Sequence, residues 1–138
     1  MTSLQSNENN LIDLFNCCSS SEEKYQKIIA LGNKLKPINS RSKVKENLVP
    51  GCQSVMYLET NFIDNKIFFN ADSEALISKG LAFLLIPTYS GLTPEIVLKH
   101  PPTILEKIGL SKSLSPSRSN GFNSLYLKMK QESLKYLI

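Results

Sequence analysis

The chain has no tryptophan, a single histidine (His100) and only three cysteines in 138 residues. Each shortage closes off a kind of chemistry. Metal sites need several convergent soft ligands, and one histidine with a few thiols does not supply that spacing. Three cysteines, two of them adjacent at Cys17 and Cys18, make no disulfide framework and suit a reducing compartment. The longest apolar run, residues 80–86, is far too short to cross a bilayer and reads as a buried helix, so no membrane partner is expected. The N-terminus shows no basic start followed by an apolar stretch, so the expected address is cytoplasmic. Phosphate-cradling and dinucleotide fingerprints are absent, and neither cofactor nor metal is expected.

What remains is ordinary for a globular protein: 41% hydrophobic and 20% charged residues, long enough for one domain over residues 1–138. The net charge is +4. Lys24, Lys27, Lys34, Lys36, Lys43, Lys45, Lys128 and Lys130 read as dispersed, with no aromatic-interleaved basic stripe and no RNA-binding signature. That pattern favours a solvated basic surface over a nucleic-acid face.

Periodicity sketches an α+β domain, helices packed against a small antiparallel sheet. A short amphipathic helix is expected around residues 10–15, ahead of Cys17 and Cys18. Ser20 and Glu23 have the spacing of a capping box, opening a helix with Tyr25, Ile28, Ile29, Gly32 and Leu35 on its core face. Residues 37–49 form a polar, irregular arm. Strands are expected at 54–62 and 66–71, joined by a turn at Asp64-Asn65. Asp72 reads as the N-cap of the next helix, which should stop before Pro87. Thr93-Pro94 opens another helix, a short one runs to Gly109, and the last begins near Ser117.

The chemistry concentrates at one thiol. Pro50-Gly51 cannot continue a helix and favours a tight bend, which presents Cys52 just before the β-prone Val55-Met56-Tyr57-Leu58. A thiol is only a few per cent ionised at neutral pH, so something must raise its thiolate fraction. Arg118, at an expected helix start, is a candidate neighbour, with a purely structural bracing role as the alternative. His100 could pair with Cys52 in a stand-alone thiol enzyme, but a surface histidine is the simpler reading. Asp72 and Glu74 do not support a paired-carboxylate site. Cys17 and Cys18 read as small buried hydrophobes closing a helix.

These segments resemble the SufE family, sulfur acceptors that serve cysteine desulfurases in iron–sulfur cluster assembly. The matching pieces are Glu22-Glu23-Lys24-Tyr25 with Ile28-Ile29-Ala30-Leu31-Gly32, Asn47-Leu48-Val49-Pro50-Gly51-Cys52-Gln53-Ser54, and Ala71-Asp72-Ser73. Ile77-Ser78-Lys79-Gly80-Leu81 and Leu114-Ser115-Pro116-Ser117-Arg118-Ser119-Asn120-Gly121 complete them. They keep the family's order over about residues 11–130. The resemblance implies a fold shared with IscU-type scaffolds and maps the family's active cysteine onto Cys52. That residue would accept sulfane sulfur as a persulfide from a desulfurase of the SufS/CsdA kind, stimulate it, and pass the sulfur to a downstream scaffold. Gly51, Gln53, Ser54 and Arg118 would support the loop and meet the partner. The chain departs from the family at Val55-Met56-Tyr57, where Gln-Val-Trp is usual, so packing beneath the loop should differ. Ala30 stands where glutamate is usual. An iron–sulfur scaffold of the related fold remains the other reading of the same resemblance.

Overall fold

A computed structural model describes residues 3–137. Helix α1 (Leu4–Leu14) begins well before the apolar periodicity, because Ser3 and Ser6 cap it reciprocally. Helix α2 (Ser21–Gly32) starts at Ser20, whose Oγ accepts from the Glu23 amide. Only that half of the expected box forms. The Glu23 carboxylate accepts from Ser19 and from the Ser20 hydroxyl instead.

Strands β1 (Met56–Ile63) and β2 (Lys66–Ser73) form an antiparallel hairpin in register from Met56↔Ser73 to Ile63↔Lys66. Asp64 and Asn65 both take positive φ (52° and 64°), the backbone of a type I′ turn whose twist matches that of the strands. Met56, Leu58, Ile67, Phe69 and Ala71 are buried on the inner face. Short bridges extend both edges, Leu48 to Tyr57 on one side and Leu92 to Ile67 on the other.

Helix α3 (Leu76–Tyr89) is the hub, packing on α2, β2, α1 and α6. It departs from expectation at both ends. Asp72 is no cap: the ladder carries the strand past it to Ser73, and the cap position falls on Ala75, which makes no side-chain bond. The Asp72 carboxylate instead holds Lys43 at 3.3 Å and Lys79 at 4.0 Å, tying the arm and α3 to the end of β2. At the other end Pro87 lies inside the helix. Proline removes one bond there, but only Thr88 and Tyr89 follow it. The Thr88 hydroxyl donates to the Leu84 carbonyl at 2.6 Å, and the Tyr89 hydroxyl anchors to the His100 carbonyl at 2.6 Å.

Helices α4 (Pro94–Lys99), α5 (Ile104–Lys107) and α6 (Pro116–Lys135) complete the chain. The helices and hairpin together form the α+β architecture expected from the sequence. Where α2 crosses α3 the backbones touch. A Cβ on Gly32 would lie 2.6 Å from the Gly80 nitrogen, and one on Gly80 would overlap the Ile28 side chain and carbonyl. Two of the separate sequence segments singled out above are therefore the two sides of one helix crossing. No helix among the described residues is long and apolar enough to cross a membrane.

Candidate functional site

Cys52 rides on a tight excursion from the edge of the hairpin. The Val49 amide donates to the Met56 carbonyl at 2.9 Å, which pinches residues 50–55 into a closed loop. Gly51 turns that loop at φ +82°, a conformation that side chains other than glycine's rarely adopt. A Cβ there would also approach the Ser124 Oγ to 2.8 Å. Sequence, turn and packing against α6 thus converge on one requirement for glycine.

The turn carries the half-buried thiol to the wall of a cavity of about 680 Å³. Five parts of the fold line it: Ile29 of α2, the loop with Gln53 and Ser54, Met56 at the start of β1, the first turns of α3, and the N-terminal turns of α6. Met56, Leu81 and Phe122 make its apolar wall. The Cys52 Sγ donates weakly to the Gly121 carbonyl at 3.8 Å. A Cβ at Gly121 would lie 3.8 Å from the sulfur, an ordinary contact, so it is the Gly121 carbonyl rather than the lack of a side chain that meets the thiol.

Burial pushes the Cys52 thiol above its ordinary range. The neutral S–H form is therefore favoured while the loop is seated, because removing charge from water is costly. Arg118 lines the same cavity, as does Ser115, which caps α6 by accepting from the Arg118 amide at 3.4 Å. The guanidinium sits 6.0 Å from the centroid of the Tyr25 ring, and the Tyr25 hydroxyl donates to the Ser113 carbonyl at 2.6 Å. Among the described residues no carboxylate lies within 4.0 Å of Arg118. The cation is placed in the cavity wall but does not offset the burial of the thiol in this conformation.

The structure therefore brings together Cys52, Gln53, Ser54 and Arg118, with Gly51 as the hinge of the loop. It leaves other candidates outside. His100 ends α4 with an exposed side chain and does not line the cavity. Cys17 is exposed and Cys18 half-buried just after α1, so the expectation of two buried thiols fails at Cys17, which the turn leaves facing water. Neither reaches the Cys52 cavity. Among the described residues no three of His, Cys, Asp and Glu converge as a metal site would require. Tyr57 does not lie beneath the loop either. It faces away from the cavity, opposite Asp72, and Met56 occupies the space beneath. Sequence reasoning missed Ser124, Gly121 and Tyr25, whose roles depend on helices crossing at a distance; only their place beside the Ser-Pro-Ser-Arg segment and on the α2 core face hinted at them.

Helices on a small sheet, with one glycine-hinged thiol over a shared cavity, define a compact thiol-bearing α+β protein. The chain matches the family described as "SufE: Fe-S metabolism associated domain" over residues 9–133. It is 32% identical over 126 residues to an uncharacterized SufE-like protein of Synechocystis sp., covering 91% of this chain and 79% of that protein. It is 33% identical over 125 residues to "SufE-like protein 1, chloroplastic/mitochondrial" of Arabidopsis thaliana, covering 90% of this chain but only 34% of the longer plant protein. A solution structure of a hypothetical protein from Thermus thermophilus shares the fold, with a TM-score of 0.76 at 23% identity over 95% of this chain and 96% of that one. The chain belongs to the SufE family, and its role lies in iron–sulfur metabolism.

Proposed function

We propose that residues 1–138 act as one sulfur-acceptor domain, with Cys52 as the atom that is loaded. The observation that carries this reading is the placement of the Cys52 sulfur, on a glycine-hinged loop at the wall of a largely apolar cavity. In the exchange, the Cys52 thiolate attacks the terminal sulfur of a persulfide on a cysteine desulfurase. The donor's S–S bond breaks as the new one forms, the electron pair leaves on the donor thiolate, and the terminal sulfur keeps its proton. The product is a persulfide on Cys52, and no outside oxidant or reductant is required. A scaffold protein would take the sulfur by the same exchange in a second encounter.

The seated loop suits holding rather than attacking. Burial keeps the thiol protonated between encounters, and a partner that draws the loop outward would return it to water and to its ordinary acidity. The Arg118 guanidinium, with no carboxylate within 4.0 Å among the described residues, would favour the anion as it forms. The chemistry needs free thiols, which fits a reducing compartment such as the cytoplasm.

Mass spectrometry after incubation with a desulfurase and cysteine tests the proposal. One added sulfur is expected on Cys52 and none in Cys52→Ser, with stimulation of the desulfurase lost in that variant and weakened in Arg118→Ala. Sulfur found only on Cys17 or Cys18 would overturn it.

A further inference from the structure

The basic residues that look scattered along the chain are unevenly placed. Residues 24–45 hold seven of the sixteen Lys and Arg and none of the twelve Asp and Glu. The rest of the chain carries nine positive charges against twelve negative ones, so this segment alone makes the protein basic. It covers α2 beyond its first turn and the arm that leads into the Cys52 loop. Of its seven cations only Lys43 has a carboxylate within 4.0 Å, among the described residues.

The arm is fixed rather than trailing. It folds into two short 3₁₀ turns, 40–42 and 45–47, braced by the Asn47 side chain donating to the Ser42 carbonyl at 2.7 Å. Lys43 is tied to Asp72, and the Lys128 ammonium holds the Glu46 carbonyl at 2.7 Å. Arg41 and Lys45 stay exposed on it. Lys45 lies seven residues before Cys52, so their Cα atoms are at most about 25 Å apart, within the width of one ordinary protein interface. Close to the same loop, large apolar side chains are left in water: Leu48 is 38% exposed, Val55 43% and Leu76 56%. On the arm three cations, Arg41, Lys43 and Lys45, outnumber the one carboxylate, Glu46, and Glu74 stands beside Leu76. An apolar centre bordered by mainly positive charge has the anatomy of a protein-docking face.

We infer that the basic arm, with Leu48, Val55 and Leu76, forms a docking face for a protein whose surface around its sulfur-bearing residue is acidic. This rests on the reading of Cys52 as sulfur acceptor. The charge supplies steering and orientation, and the apolar residues supply the contact that persists once the partners meet. A protein partner is favoured over nucleic acid because the charges border exposed aliphatic side chains, while Tyr25, the one aromatic of residues 24–45, is engaged by Arg118 and the Ser113 carbonyl rather than open for bases to stack on.

The test is binding of a purified cysteine desulfurase to the Cys52→Ser chain, which separates docking from sulfur transfer. Affinity should fall about tenfold as salt rises from roughly 50 to roughly 300 mM. The double variant Arg41→Glu, Lys45→Glu should bind about tenfold more weakly at low salt and approach the parent at high salt. Leu76→Ala should weaken binding severalfold at both. With Cys52 restored, the charge variant should be alkylated there by neutral iodoacetamide at an unchanged rate, showing an intact loop. Salt-independent binding, no binding, or no effect of the charge reversal overturns the docking face. Sulfur on Cys52 in the parent would in that case still stand. Docking as described without any sulfur on Cys52 overturns only the acceptor reading. Retention of an RNA or DNA duplex that the reversal abolishes, with desulfurase binding untouched, assigns the charge to nucleic acid instead.

Discussion

At Gly51 a single hydrogen atom decides the geometry of the loop. The positive φ there disfavours any L side chain by about 1–2 kcal/mol, and the Ser124 hydroxyl blocks the space a Cβ would need. The Ser124 hydroxyl can rotate aside, but the positive φ cannot be relieved within the seated loop, so in Gly51→Ala the loop is expected to lift away from α6. That change also relieves the burial that holds the Cys52 thiol up. The variant is expected to lose about 1–2 kcal/mol of stability and to react severalfold faster with iodoacetamide at neutral pH, followed by mass spectrometry on Cys52. Unchanged alkylation would mean that the seated loop does not shield the sulfur. The places of Cys52 on a turn and of Arg118 at a helix start were legible in the sequence, because such residues announce themselves locally, whereas Gln53 and Ser54 were named only through the family resemblance. The shielding was not. It depends on Gly121 and Ser124, 69 and 72 residues further along the chain, and no local pattern marks their helix as the floor beneath a sulfur.

Helix propensity and packing make opposite claims at the α2–α3 crossing. Alanine is the better helix former by about 1 kcal/mol, so Gly80→Ala would stabilise an isolated helix. Here its methyl would overlap the Ile28 side chain and carbonyl, and a backbone group cannot swing aside as a flexible side chain can. Overpacking of this kind typically costs about 1–3 kcal/mol beyond the propensity gain. A net loss near 2 kcal/mol is expected in urea unfolding, and an unchanged or raised midpoint would show that the helices do not meet backbone to backbone. Hairpin, helices and their order followed from the apolar periodicity. The errors fell where elements meet: Asp72 has the chemistry of a cap but the ladder carries the strand past it, and Pro87 is tolerated because α3 has so little helix left beyond it.

Across the molecule, the stack of Tyr89 on Tyr126 joins α3, α4 and α6. The rings lie 5.7 Å apart, and their hydroxyls donate to the His100 and Val97 carbonyls at 2.6 Å and 2.7 Å. Burial raises both phenols, Tyr89 further through the nearby Tyr126 and Glu8. Both folded-state values lie above the unfolded one, so the neutral phenol is what the fold favours. The associated stability is complete below the ordinary tyrosine range near pH ~10 and is lost as pH climbs above it, because the unfolded chain releases these protons first. Each tyrosine that stays protonated in the fold should steepen that loss by about 1.4 kcal/mol per pH unit. Tyr89→Phe removes one such group and one hydrogen bond. It should cost about 1 kcal/mol at pH ~7 yet show a shallower decline between pH ~10 and ~11 than the parent, read from urea unfolding at each pH. Lys135, raised by its bond to Glu132, also loses its stabilising charge in that range, but it does so equally in parent and variant and cancels in the difference. Parallel declines would mean that the Tyr89 hydroxyl ionises as readily in the fold as in the unfolded chain, which a phenol with no solvent exposure and its proton on a carbonyl should not do.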